Sequence, residues 1–129
     1  MTEAELNALS KRVIGAAIAV HTELGPGLLE STYKACLGYE LSKRGVHALA
    51  EVPVPVVYDG KRLADVGYRV DLLVENELIV EVKSVEAVAP VHTAQLLSYL
   101  RLSKRRLGLL LNFNVVHLRD GIYRRVNRF

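Results

Sequence analysis

Hydrophobic residues in the first third of the chain recur at the spacing of an α-helix. This pattern predicts a helix over residues 3–24, which the Gly-Pro-Gly run at 25–27 ends. A second helix is predicted from about Leu28 to Arg44, with Gly45 as its C-cap. Two amphipathic helices therefore precede the first predicted strand.

The pattern then changes to the alternation that is typical of β-strands. Val52–Tyr58 is rich in β-branched residues, and its two prolines place it at a sheet edge. The dipeptide Asp59-Gly60 that follows is a strong signal for a two-residue hairpin. Two more strands, joined by a short turn at residues 75–77, are predicted at Ala64–Val74 and Leu78–Val85.

The last third of the chain returns to a helix and then to strands. A third helix is predicted over Val91–Arg105, and the apolar run Leu107–Phe113 predicts a strand that is buried on both faces. A final hairpin is predicted from Val115–Leu118 and Ile122–Val126. The third helix allows a right-handed crossover between parallel strands, so the fold class is α/β with a mixed central sheet. We expect one domain over residues 1–129.

Composition limits the kind of protein this chain can be. The 129 residues are 50% hydrophobic and 24% charged, which is ordinary for a globular domain. No apolar run approaches the ~20 residues that cross a bilayer, so we expect no membrane association. The N-terminus lacks a basic region followed by an apolar one, and Cys36 is the only cysteine. Both features predict a cytoplasmic protein without a disulfide framework or a Cys-rich zinc site.

Charge is distributed unevenly along the chain. Residues 1–100 hold 9 basic and 13 acidic residues, whereas residues 101–129 hold 8 basic residues and one acid. An acidic body with a basic end is one way to hold a phosphodiester near a metal ion. A solvated basic surface explains the same charges equally well.

Two acidic residues are predicted to face each other across the hairpin formed by the second and third predicted strands. A three-residue turn centred on Asn76 pairs Asp71 with Glu81 and puts Lys83 on the same face of the sheet. Like charges placed opposite each other are destabilising, and a divalent cation removes that penalty. Alternatively, the face is exposed and Lys83 neutralises one acid. A turn shifted by one residue would also move Asp71 to the other face.

Polar side chains also lie on two of the predicted helices. Glu30 shares a face of the second helix with Tyr33 and two leucines, so it projects from the inner stripe near the helix start. A carboxylate there needs a partner or a metal ion, although a favourable charge at a helix N-terminus is the alternative. In the third helix, Gln95 shares a face with His92 and Tyr99. One interpretation is that this face lines the same cleft, and the alternative is an interface or buried polar packing.

The order Asp71, then Glu81-Val82-Lys83 in a hairpin, then a helix and a parallel strand resembles the core motif of the PD-(D/E)XK nuclease superfamily. The segment 27–33, Gly-Leu-Leu-Glu-Ser-Thr-Tyr, matches the signature of the small GxxExxY protein family. Segments 21–26 and 90–100 are also similar to that family, so the resemblance spans most of the chain. Where family members often have Asn-Phe-Gly, this chain has Asn-Phe-Asn at 112–114.

The resemblance implies a fold, a metal site and an activity. The fold is a restriction-endonuclease-like αβββαβ core, with a mixed central sheet flanked by helices and an extra N-terminal helix. Asp71 and Glu81 bind Mg²⁺ or Mn²⁺, with the carbonyl of Val82 and the carboxylate of Glu30 as further ligands. Lys83 orients the attacking water or stabilises charge on the phosphate, and Gln95 is a supporting polar residue.

The resemblance favours a metal-dependent nuclease that hydrolyses DNA phosphodiester bonds. The alternative is a non-catalytic assembly protein that keeps the nuclease-like fold and forms a homo-oligomer. A nucleic-acid-binding module without turnover is disfavoured, because a pure phosphate binder gains from losing the carboxylates. We expect a homo-oligomer, a dimer or larger, in either case.

Overall fold

A computed structural model of the chain describes residues 1–64 and 68–128. Two helices come first, strands and a third α-helix follow, and a short 3₁₀ helix lies before the last strand. The elements are α1 (Glu3–Leu24), α2 (Glu30–Lys43), β1 (Ala48–Pro53), β2 (Val56–Tyr58), β3 (Lys61–Ala64), β4 (Arg69–Val74), β5 (Leu78–Lys83), α3 (Pro90–Ser103), β6 (Leu107–Asn112), the 3₁₀ helix (Leu118–Gly121) and β7 (Ile122–Val126).

The first two helices begin and end close to the positions that the sequence predicts. The Thr2 side chain accepts a hydrogen bond from the Glu5 N–H, and the Glu5 carboxylate accepts one from the Thr2 N–H, so a capping box starts α1. Gly25, with φ +68°, follows the last residue of α1. Gly45, with φ +75°, lies two residues beyond α2, where the left-handed conformation favours glycine.

The main sheet has five strands in the order β1-β4-β5-β6-β7. Strands β5 and β6 are parallel, with α3 as the crossover between them, and the other neighbours are antiparallel. This arrangement confirms the predicted α/β fold with a mixed sheet. Strand β1 is an edge strand, as Pro53 at its end requires, because proline has no N–H for a ladder.

The two faces of the sheet are covered by different helices. Helices α1 and α2 pack on one face, against alternate residues of the central strands such as Val80 and Val82. Helix α3 packs on the other face, against residues such as Ile79 and Leu110. Within residues 1–64 and 68–128, none of the helices has both the length and the apolar character needed to cross a bilayer.

The structure differs from the prediction in two β regions. The predicted strand Val52–Tyr58 is divided between β1 and β2, and β2 pairs with β3 in a separate two-stranded sheet. Part of the predicted strand Ala64–Val74 lies at 65–67, outside the described residues. The predicted strand Val115–Leu118 is wrong, because the chain there leads into the 3₁₀ helix and β7 pairs directly with β6.

Gly121 makes that last connection possible, and replacing it with alanine is expected to destabilise the protein strongly. A Cβ atom at this position would lie 2.1 Å from the backbone oxygen of Asn112. Backbone atoms cannot move aside cheaply, so we expect Gly121→Ala to lower the free energy of unfolding by about 3 kcal/mol. Denaturant unfolding monitored by circular dichroism measures the change.

The matched control is Gly38→Ala, because Gly38 lies inside α2 and an added Cβ meets nothing within 4 Å. Alanine has a higher helix propensity than glycine, so this variant should be as stable as the parent or more stable by up to about 1 kcal/mol. Equal stabilities of the Gly121 and Gly38 variants would contradict the prediction.

Candidate active site

Asp71 and Glu81 meet at the edge of the sheet where β4 begins and β5 ends. The register of the hairpin pairs Val74 with Leu78 and Leu72 with Val80, so the two acids occupy the next pair of positions. Asp71 Oδ2 accepts a hydrogen bond of 2.7 Å from the Val82 N–H. The Asp71 N–H lies 3.4 Å from Glu81 Oε2, which accepts a weaker bond. Side-chain carboxylates therefore continue the pairing where the backbone ladder stops.

Burial changes the protonation of Glu81. This residue is only 6% exposed, and burial raises the pKa of its carboxyl group to about 9. A side-chain hydrogen bond with Asp71 and the negative charge of Asp71 contribute to this higher pKa, while the bond from the Asp71 backbone N–H and the charge of Lys83 oppose it. Without a metal ion, Glu81 therefore holds a proton at neutral pH.

One oxygen of Glu81 lacks a hydrogen-bond partner in the part of the chain that the structure describes. Among residues 1–64 and 68–128, Oε1 is a buried side-chain oxygen that makes no hydrogen bond. Buried polar atoms are almost always hydrogen-bonded, so a water molecule or a metal ion is expected at this oxygen. An unpartnered carboxylate oxygen beside a second carboxylate is a donor set that suits a hard cation such as Mg²⁺ or Mn²⁺.

The acidic centre consists of two carboxylates. In the part of the chain that the structure describes, no group of three or more histidine, cysteine or acidic side chains is arranged to hold a metal ion. Mg²⁺ is commonly held by one or two carboxylates, with water and substrate phosphate oxygens completing its shell. Asp71 and Glu81 fit that mode of binding.

Lys83 ends β5 on the same face of the sheet as Glu81. It is half-buried and pairs with Asn112 of the parallel strand β6. The Lys83 carbonyl accepts a hydrogen bond of 2.9 Å from the Phe113 N–H. The backbone that carries this lysine is therefore fixed on the β6 side.

The side chain of Asn112 extends the pairing beyond Lys83. Its Oδ1 accepts a hydrogen bond of 3.0 Å from the Val85 N–H, and its Nδ2 donates one of 3.0 Å to the Val85 carbonyl. Asn112 is 2% exposed, so these bonds are shielded from water. The amide of Asn112 pairs with Val85 as a backbone peptide would, and it holds the segment that follows β5.

Lys34 of α2 reaches the acidic centre, and the sequence did not predict it. Its ammonium group forms an ion pair with Glu51 and lies 3.8 Å from Asp71 Oδ1. The hydrogen bond with Glu51 is the main cause that raises the pKa of Lys34, so the lysine is charged. The one sequence signal is that Lys34 follows Glu30 by four residues, which places both on one side of the helix.

Glu51 was also missed, and its position depends on an irregular point in β1. Its φ is +56°, in the left-handed region that residues other than glycine rarely adopt. It lies opposite Asp71, between the Ala50–Leu72 and Val52–Val70 pairs of the β1–β4 ladder. The local sequence contains no turn that would fix this register.

Glu30 occupies the first turn of α2, and its side chain is exposed. The Ser84 hydroxyl donates a hydrogen bond of 2.6 Å to the Leu28 carbonyl, so the start of α2 lies beside the end of β5. Within the described residues, however, no hydrogen bond or ion pair joins Glu30 to Asp71 or Glu81. The inner stripe of α2 starts at the buried Tyr33, whereas the sequence pattern had placed Glu30 on it.

Gln95 lies on the α3 side of the sheet, and its side chain is exposed. It lines a surface cavity of about 420 Å³ together with Tyr68 and Tyr99. The pKa of Tyr99 is raised by burial and, to a smaller extent, by the charge of Glu81. Gln95 therefore lies in the wall of this cavity rather than among the carboxylates.

Tyr33, the tyrosine of the 27–33 motif, organises the loop before α2. Its hydroxyl donates a hydrogen bond of 2.5 Å to the Gly25 carbonyl and accepts one of 3.1 Å from the Leu28 N–H. Its ring stacks on Phe113 with the centroids 4.6 Å apart. The motif tyrosine therefore joins the loop to the core, at the edge of the sheet that holds the acidic centre.

Much of the basic C-terminal region lies at the opposite edge of the sheet. Arg105 donates a hydrogen bond of 2.8 Å to the side chain of Asn76, in the turn between β4 and β5. Lys104 and Arg106 flank it, immediately before β6 begins. Parallel strands begin at one edge and end at the other, so these residues are remote from Lys83. For these three residues, the alternative of a solvated basic surface therefore holds, rather than a basic region beside the acidic centre.

Comparison with known proteins identifies the class to which this fold and site belong. The family model described as the PD-(D/E)XK nuclease superfamily matches residues 7–126. The chain belongs to this superfamily, and the sheet with its flanking helices is its restriction-endonuclease-like fold, preceded by α1. Neither the curated proteins nor the solved structures gave a match.

Proposed function

We propose that this protein is a metal-dependent nuclease that hydrolyses phosphodiester bonds in DNA. The observation that carries the proposal is the pair Asp71 and Glu81, in which a buried carboxylate oxygen lacks a hydrogen-bond partner among the described residues. Membership of the PD-(D/E)XK nuclease superfamily supports a nuclease-like function. The match of residues 27–33 to the GxxExxY signature supports that narrower family and is part of the proposal.

The proposed roles follow from the chemistry of each side chain. Asp71 and Glu81 hold Mg²⁺ or Mn²⁺, with the Val82 carbonyl and the Glu30 carboxylate as further ligands. When bound, the ion activates water and neutralises charge that develops on the phosphate. Glu81 gives up its proton as the ion binds, because only the ionised carboxylate is a strong ligand.

Two other side chains act on the substrate in this proposal. Lys83 is a compact positive charge beside Glu81, and it stabilises the charge that accumulates on the phosphate oxygens. Gln95 supports the site from the wall of the cavity on the α3 side of the sheet, where its amide can hydrogen-bond the substrate.

A homo-oligomer, a dimer or larger, remains part of the proposal. Apolar side chains of the small β2–β3 sheet support it, because Val57, Tyr58 and Leu63 are 48%, 71% and 61% exposed. Neighbouring exposed apolar side chains are typical of surfaces that contact another protein.

Mn²⁺ titration by calorimetry, followed by incubation with a mixture of labelled DNAs, tests the proposed function. The wild-type protein is expected to bind Mn²⁺ and to cleave DNA only when the metal is present. Asp71→Asn is expected to lose measurable Mn²⁺ binding and at least about 10²-fold in cleavage rate, because it removes a charged ligand.

The matched control is Asp59→Asn, which makes the same chemical change in the exposed turn between β2 and β3. Asn-Gly suits such a turn as well as Asp-Gly does, so this variant should bind metal and cleave like the wild type. Absence of Mn²⁺ binding by the wild-type protein would overturn the proposal.

A further inference from the structure

We propose that Lys34 is a substrate-binding residue, which contacts a phosphate of the nucleic acid from the α2 side of the acidic centre. This inference rests on the proposed nuclease function and assigns a role to a residue outside the PD-(D/E)XK motif. Lys34 would hold the nucleic-acid strand next to the metal-binding carboxylates. It would act as a second cation, in addition to Lys83.

The position of the Lys34 ammonium group is the first support. It lies 3.8 Å from Asp71 Oδ1, so a phosphate held near this carboxylate by a metal ion is within a few ångströms of it. Asp71 is fixed separately, because its Oδ2 accepts a hydrogen bond from the Val82 N–H. Asp71 therefore does not depend on Lys34 for its orientation.

The hydrogen-bonding capacity of Lys34 is the second support. An ammonium group has three N–H donors. Among the described residues, Lys34 makes one hydrogen bond, to the carboxylate of Glu51. The distance to Asp71 Oδ1 is beyond a hydrogen bond. Two donors thus remain for phosphate oxygens, and the side chain keeps 24% of its surface exposed.

Glu51 holds Lys34 in this place. The left-handed backbone of Glu51, φ +56°, is an unusual conformation that persists only where its surroundings fix it. It puts the glutamate opposite Asp71 in the β1–β4 ladder, where its carboxylate meets the Lys34 ammonium group. The ion pair with Glu51 therefore keeps Lys34 beside the acidic centre, while Lys34 makes no direct hydrogen bond to Asp71.

Lys34 and Lys83 approach the acidic centre from different sides of the sheet. Helix α2, which carries Lys34, packs on the face of the sheet that carries Val80 and Val82. Glu81 and Lys83 alternate with these two valines and therefore point to the α3 face. A phosphodiester at this edge would have one lysine on each side. This arrangement suits a nucleic-acid strand that extends beyond the site in both directions.

Salt dependence of DNA binding tests the inference. A fluorescein-labelled duplex DNA is titrated with protein in the presence of Ca²⁺, and the anisotropy is recorded over a range of salt concentrations. Each neutralised phosphate contributes about 0.9 to the slope of log affinity against log salt concentration. Lys34→Met is expected to lower the magnitude of the slope by about 0.9 relative to the wild type.

Three further measurements make the result decisive. Lys34→Arg keeps the charge and the reach, so it should retain the wild-type slope. Lys43→Met removes an exposed lysine of the same helix that pairs with Glu40, and it should also leave the slope unchanged. Mn²⁺ binding by Lys34→Met should be no weaker than in the wild type, because loss of a positive charge does not weaken the binding of a cation.

Each outcome separates this inference from the proposed function. If the wild-type protein binds DNA and Lys34→Met keeps the full slope, the inference is wrong while the nuclease proposal stands. An equal loss of slope in Lys43→Met would also overturn it, because any lysine of α2 would then act alike. Absence of DNA binding by the wild type would remove the proposed function itself, and the inference with it.

Discussion

Replacing Glu81 with glutamine is expected to stabilise the metal-free protein at alkaline pH and to abolish its Mn²⁺ binding. The carboxyl pKa of Glu81 is raised from 4.5 to about 9 in the folded protein, chiefly by burial. A group with a raised pKa contributes its full stability below the unfolded pKa, and that contribution is lost as the pH rises through the folded pKa. Wild-type stability should therefore decrease between these two values.

Glutamine keeps the shape of protonated Glu81 and cannot ionise. The stability of Glu81→Gln should equal that of the wild type below about pH 4.5 and exceed it by about 3 kcal/mol near pH 7. Thermal unfolding of both proteins across this pH range, without divalent metal, measures the difference. A parallel Mn²⁺ titration should show binding only in the wild type.

Glu86→Gln is the matched control for this experiment, because Glu86 lies on the exposed loop after β5. Its substitution should leave both the pH dependence of stability and the Mn²⁺ affinity unchanged. If Glu81→Gln follows the wild-type stability at every pH, then Glu81 is not the buried acid described above. If Glu81→Gln still binds Mn²⁺ as tightly as the wild type, Glu81 is not a metal ligand.

Lys83→Met is expected to reduce metal-dependent DNA cleavage by about 10²–10³-fold while leaving Mn²⁺ affinity unchanged or slightly higher. Removal of one group that stabilises transition-state charge typically costs this much in rate. The methionine side chain keeps the apolar stem of the lysine and removes only its charge. Single-turnover cleavage rates at saturating Mn²⁺ separate the chemical step from metal binding.

Lys104→Met is the control, because Lys104 is an exposed lysine at the opposite edge of the sheet. It should cleave DNA at the wild-type rate. A Lys83→Met protein that cleaves as fast as the wild type would contradict the role of Lys83. A protein that loses Mn²⁺ binding as well would show that Lys83 supports the structure of the site instead.

The sequence predicts the positions of those site residues that are fixed by the tight turn between β4 and β5. The turn around Asn76 connects β4 directly to β5, so it fixes which residues of the two strands lie opposite each other. Alternation along each strand then brings Asp71, Glu81 and Lys83 together. The two α-helices and the parallel strand after α3 follow equally from local periodicity and from the chirality of crossovers.

The parts that the sequence does not predict depend on contacts between distant segments. The β2–β3 hairpin separates β1 from β4, so no short turn fixes which residue lies opposite Asp71. Glu51 reaches that place through a left-handed backbone that has no signal in its own sequence. Lys34 in turn is recognisable only once Glu51 is placed. Charge counted along the chain likewise could not show that Arg105 lies at the far edge.

The amide of Asn112 also determines where local opening of the sheet stops. Strand ends normally fray, and their backbone amides exchange with solvent far faster than those of the centre. Here the Val85 N–H, two residues past the end of β5, is bonded to a side chain that is almost fully buried. We therefore expect the slowly exchanging region to extend beyond Lys83. In that case, the position of the lysine relative to Glu81 would persist through fluctuations that open ordinary strand termini.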